Sequence, residues 1–99
     1  MKNRVEPLVG FEQLAGVFDA ALAQAQSGKG AERHGRDGTP FCEQDIFVIA
    51  RAHGVGFLTG QAEKKIRESA GLPVDRARAE VLGALVYLAA AILHRGAES

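Results

Sequence analysis

From Val81 to Leu93 the chain reads VLGALVYLAAAIL, 13 residues without a charge, and nothing else in the sequence constrains the fold as tightly. Leucine and alanine favour helix, and the run is longer than the ~5–6 residues of an ordinary strand, so the segment is predicted to be helical. It falls short of the ~20 apolar residues that a bilayer crossing takes, which points to a core helix and not a membrane span. A helix that is apolar on every side has to be covered on every side. With 99 residues the chain is expected to form a single domain over 1–99, and a domain of this size buries only roughly two-thirds of its unfolded surface. So short a chain covers one face of such a helix easily and its whole circumference poorly. The predicted remedy is a second copy, a homo-oligomer in which a partner's helix packs against the apolar C-terminal one.

The rest of the chain supplies two more helices. Phe11, Leu14, Ala15, Phe18, Ala21, Leu22 and Ala25 recur at the i, i+3, i+4, i+7 spacing of an amphipathic helix, with Glu12, Gln13, Asp19, Gln24 and Gln26 on the other side. Helix one is predicted from Phe11 to Gln26, after a frayed lead-in over residues 1–10, and Gly28 is a natural stop. Thr39-Pro40 reads as the N-cap and first position of helix two. Ile46, Ile49, Ala50, His53, Phe57 and Gly60 form one stripe along it; Phe47, Arg51, Leu58, Ala62 and Ile66 form its neighbour. Gly54, Gly56 and Gly60 would each cost ~1 kcal/mol against Ala in a helix interior. They mark either a break or the close approach of another backbone, and the favoured reading is one helix with a weak middle, continuing to about Ala70. Gly71-Leu72-Pro73 ends it, Asp75 is placed to cap the third helix, and His94-Arg95-Gly96 suits a helix C-terminus. The expected fold class is all-α: three main helices, the second and third as a central helical hairpin, assembled as a homo-oligomeric bundle.

Twelve Lys+Arg balance twelve Asp+Glu, and 46% of residues are hydrophobic, as in an ordinary globular protein. Net neutrality argues against general nucleic-acid binding or a membrane-surface role. One cysteine makes no internal disulfide, which suits a reducing compartment, and the polar opening residues carry no signal-peptide core, so the expected location is the cytoplasm. Neutrality nonetheless hides a local excess. The run Gly28-Lys29-Gly30-Ala31-Glu32-Arg33-His34-Gly35-Arg36-Asp37-Gly38 follows neither helical nor strand period. Residues 28–36 carry a net +2 and residues 37–53 a net −2.

That glycine-rich basic loop, residues 28–38, is the leading candidate site. Glycines let backbone N–H groups approach an anion, and Lys29, Arg33, His34 and Arg36 add charge and forked donors, the equipment for a phosphate. It is no P-loop, since GxxxxGK[ST] is absent and the run follows a helix. The alternative is a solvated connection between helices. Arg51 and His53 are further candidate ligand contacts, and Phe41 and Phe57 are candidates for stacking on a base. For His53 the competing reading is a partly buried, satisfied imidazole on an apolar stripe. His34, Cys42 and His53 match no compact metal-ligand spacing, and Cys42 beside Phe41 reads as a small core residue. No catalytic residue, metal or cofactor is assigned. Lys64, Lys65 and Arg67, among Glu63 and Glu68, read as a solvated helix face with a Lys64–Glu68 pair. Tyr87, inside the apolar helix, needs a partner for its hydroxyl.

Gly28-Lys29-Gly30-x-Glu32-Arg33-His34, then Pro40-Phe41-x-x-Gln44, then Gly56-Phe57-x-x-Gly60-Gln61-Ala62-x-Lys64-Lys65 resembles small helical proteins of bacteriophages and prophages, over about a third of the chain. The resemblance implies action against host defence in the host cytoplasm, by binding a protein or sequestering a nucleotide signal. Separately, Glu80 to Leu88 is similar to the last helix of the all-α, MazG-like nucleotide pyrophosphatases, whose ExxE and ExxD acids hold Mg²⁺. Here Val81 and Ala84 stand where that pattern has its second Glu and its Asp, and Gln61 and Lys64 where an ExxE pair is sought. Mg²⁺ is held by carboxylates, so this likeness implies a scaffold without its metal site. The expected function is that of a non-enzymatic, phage-type binding protein that captures a small phosphate-bearing ligand such as a nucleotide immune signal. A protein-binding inhibitor of a host defence complex and a divergent nucleotide pyrophosphohydrolase are the alternatives.

Overall fold

The computed structural model describes residues 5–27 and 38–98. Among them are four α-helices and no strand: α1 (Glu12–Ser27), α2 (Asp45–His53), α3 (Gly56–Ser69) and α4 (Val74–Glu98), with a 3₁₀ turn at Phe41–Glu43 ahead of α2. The fold is all-α, as expected. α1 lies within a residue of both its predicted ends. Gly10 turns the chain into it at φ +92°, and the Gly10 N–H donates to Glu12 Oε1 at 2.9 Å.

The single helix expected over residues 40–70 is two helices, so the main helices number four and not three. Gly54 sits at φ +91°, ψ 173°, a backbone region essentially reserved for glycine. Its N–H closes α2 by donating to the Ala50 carbonyl at 2.6 Å, and its own carbonyl accepts from Phe57 at 3.2 Å as α3 begins. No atom lies within 4 Å of the position a Cβ would take on Gly54, Gly56 or Gly60. The glycines therefore mark a break and not a close approach. Thr39-Pro40 does not cap a helix either: it leads into the 3₁₀ turn, and α2 starts only after Gln44, extended at ψ 164°.

α2 and α3 lie against α4 in one core of Ile46, Phe47, Ala50, Leu58, Ala62, Ala84, Tyr87, Ala90 and Ala91, with Phe41, Val55 and Phe57 packed on its edge. Five of those nine are alanines, and such small side chains let the helices approach closely, as interiors packed to crystal-like density demand. α3 and α4 are the expected hairpin. Lys65 belongs to their contact, not to a solvated face: its Nζ donates to Glu80 Oε2 at 3.3 Å, and its stem lies over Gly83, where an added Cβ would meet Cδ at 3.1 Å. Lys64–Glu68 is the exposed pair expected, at 3.8 Å.

α4 begins just after Pro73, whose carbonyl accepts from the Ala77 N–H at 2.8 Å, and Asp75 lies in its first turn, where the helix dipole favours an anion. Gly96 does not stop it; the helix continues to Glu98, and His94 is buried instead of serving as an exposed terminal cation. By length and composition alone α4 is long and apolar enough to cross a membrane, at a mean hydropathy of 1.4 over Val74–Gly96, a test that the 13-residue run by itself does not meet. One side of α4 is covered, with Leu82, Ala84, Tyr87, Ala90, Ala91 and His94 buried, while a strip of Val74, Val81, Leu88 and Ile92, with Leu93 beside it, stays exposed.

α1 packs on α4, where Gln24 Nε2 donates to the Ala79 carbonyl at 3.0 Å. Its contact face is not its apolar stripe. Ala21 is buried, Ala20, Gln24 and Ala25 are half-buried, and Phe11, Leu14, Phe18 and Leu22 are exposed. At 100° per residue, the packed side is rotated by about a quarter turn from the middle of the stripe. Small residues face inward and large apolar ones outward.

Candidate functional site

Lys29, Arg33, His34 and Arg36 lie at positions 28–37, outside the described residues. The downstream end of the run is described. Gly38 takes φ +79°, and Gln44 Nε2 donates to the Thr39 carbonyl at 3.4 Å, a part-buried bond that ties this end to the start of α2. Gln44 is not among the sequence candidates for the site; it enters only in the Pro40-Phe41-x-x-Gln44 stretch of the phage-protein resemblance.

The four described candidates fall into two groups. Phe41 sits beside the end of the basic run, half-buried, with its ring edge-on to Phe47 at 5.2 Å between centroids and 79° between planes. Arg51 and His53 occupy the last turn of α2, at the opposite end of that helix from Gln44, about 10 Å and about 13 Å along it at 1.5 Å per residue. Both are exposed. For His53 this corrects the partly buried imidazole: α2 turns Ile46, Phe47 and Ala50 to the core, and the Ile49–His53 side of the helix lies beyond that contact and is exposed. A cation on a last turn also complements the helix dipole, which accounts for Arg51 without any ligand. Phe57 follows the break and packs against the core edge, so its ring is committed to structure over at least part of its surface.

The metal and thiol readings meet the following geometry. Among the described residues no group of three or more His, Cys, Asp or Glu side chains is placed to hold an ion. Gln61 is half-buried, Val81 exposed and Ala84 buried, while Lys64 pairs with Glu68; none of these four positions offers a carboxylate. Cys42 is exposed in the 3₁₀ turn, not a core residue, because a turn of three residues presents only Phe41 inward. Comparison with protein-family models, curated proteins and solved structures gives no match.

Proposed function

We propose that the protein is a non-enzymatic binding protein that captures a small phosphate-bearing ligand, such as a cyclic or linear nucleotide, through Lys29, Arg33, His34 and Arg36. The observation that carries this reading is the basic run itself: residues 28–36 hold a net +2 and three glycines within a chain of net charge zero. A local cluster suffices for a small anion, because forked, charge-assisted donors act over hydrogen-bond distance and need no global field. The resemblance to phage proteins that act against host defence supports a nucleotide signal as the ligand class. Gln61, Lys64, Val81 and Ala84, in place of metal-holding acids, support capture over hydrolysis.

Thermal-shift measurements with cyclic dinucleotides and linear nucleotides test it. Ligand at a hundred times its Kd adds about 2.7 kcal/mol, and a domain of this size gains about 4–8 °C per kcal/mol, so a melting-temperature rise of about 10 °C or more is expected. Lys29→Ala with Arg33→Ala should abolish the rise. An equal rise in the doubly substituted chain, or none in the wild type with any nucleotide, contradicts the assignment.

A further inference from the structure

We infer that the exposed stripe of α1, Phe11, Leu14, Phe18 and Leu22, is a self-association surface, and that its occupant is α1 of a second copy of this chain running antiparallel. The first observation is orientation. A helix free to choose its face buries its large apolar side chains, yet α1 turns Ala21 inward and leaves Phe11, Leu14, Phe18 and Leu22 exposed by 53%, 53%, 54% and 57%. The second is spacing. Phe11, Leu14, Phe18 and Leu22 step by three, four and four, which keeps all four side chains on one exposed face of the helix. The third is self-complementarity. A two-fold axis beside Gly16 and Val17 sets Phe11 against the partner's Leu22 and Leu14 against the partner's Phe18, so each ring meets a leucine and every contact occurs twice, as a two-fold interface requires.

The area agrees. At roughly 200 Å² for a Phe side chain and somewhat less for Leu, the exposed fractions leave about 400 Å² of apolar surface on each copy. Two copies bring about 800 Å², and since the buried part of a homodimer interface is about 65% apolar, the whole contact reaches about 1,200 Å², the lower end of stable interfaces. Charge speaks against a lipid surface as the occupant. Between Glu12 and Ser27 the helix has no Lys or Arg, whereas helices that lie on membranes carry basic residues on their polar face.

Sedimentation of the full chain over a range of concentrations is expected to give twice the 10.5 kDa protomer mass, or an even multiple of it. Leu14→Gln with Phe18→Gln is expected to give single protomers of unchanged helical circular dichroism, and Ile92→Gln, on the exposed strip of α4, to leave the mass as in the wild type. In a Cys42→Ser background, Leu14→Cys chains mixed with Phe18→Cys chains are expected to cross-link to each other more than either does alone. A wild-type mass of one protomer overturns the inference. So does a Leu14→Gln, Phe18→Gln chain that assembles as the wild type does, cross-linking no greater in the mixture, or single protomers that co-sediment with phosphatidylserine vesicles. Self-association does not depend on ligand capture: nucleotide binding by a chain that stays monomeric removes this inference and leaves the proposed function standing.

Discussion

At Gly54 and Gly60 the same residue type answers two different demands, and the two positions respond oppositely to the same substitution. Gly54 holds φ +91° with open space around it, so a side chain meets backbone strain and not a clash. Gly54→Ala is expected to lower stability by about 1–3 kcal/mol. Gly60 lies inside α3 with ordinary helical φ and equally open space. There Gly60→Ala is expected to raise stability by about 0.5–1 kcal/mol, through helix propensity and a less flexible unfolded chain. Urea denaturation of the two variants should give shifts of opposite sign. Leu58, fully buried among α2, α3 and α4, is the most sensitive single side chain: Leu58→Ala is expected to cost about 2–5 kcal/mol in the same measurement. Stripe arithmetic gave two neighbouring stripes, and the core takes parts of both: Ile46 and Ala50 from one, Phe47, Leu58 and Ala62 from the other. Ile49 and His53 stay exposed because they lie at the margin of the packed side of α2.

Between elements, the contact of α3 with α4 mixes apolar packing with one ion pair. Lys65 and Glu80 are each about three-quarters buried at the side chain, yet retain enough water contact for screening. Glu80→Gln is expected to cost no more than about 1 kcal/mol, with the loss shrinking in high salt, as melting curves at low and high ionic strength would show. The helices themselves were legible, since α1 and α4 follow clear periodic or apolar runs and the Gly71-Leu72-Pro73 connection is unambiguous. Two element-level features were not. A cluster of glycines at 54, 56 and 60 is consistent with both a break and a close approach, and only the backbone conformation of Gly54 decides between them. The packed side of α1 was also hidden, because a hydrophobic stripe states which face avoids water and not which partner covers it. Of the candidate site, sequence supplied the residue types, while the tie from Gln44 to Thr39 and the distance of Arg51 and His53 from it depend on the fold.

At the scale of the molecule, the described residues have a radius of gyration of 14.2 Å, against about 13 Å for a closely packed domain of 100 residues. α1 meets only α4 to any extent, with its larger side chains turned outward, which agrees with the more open shape. The second copy proposed on α1 would cover those side chains, and an oligomer would also present several basic runs on one particle. The proposed function is capture without chemistry, in which a phosphate-bearing ligand is held through Lys29, Arg33, His34 and Arg36 and returned unchanged. Native mass spectrometry of the full chain, incubated with a mixture of cyclic dinucleotides and linear nucleotides in the presence of Mg²⁺, tests it most directly. The expected spectrum shows an even-numbered assembly carrying intact nucleotide, and the Lys29→Ala, Arg33→Ala chain as the same assembly without it. Nucleotide recovered with its pyrophosphate cleaved, or a wild-type assembly that retains no nucleotide at all, would overturn the proposed capture.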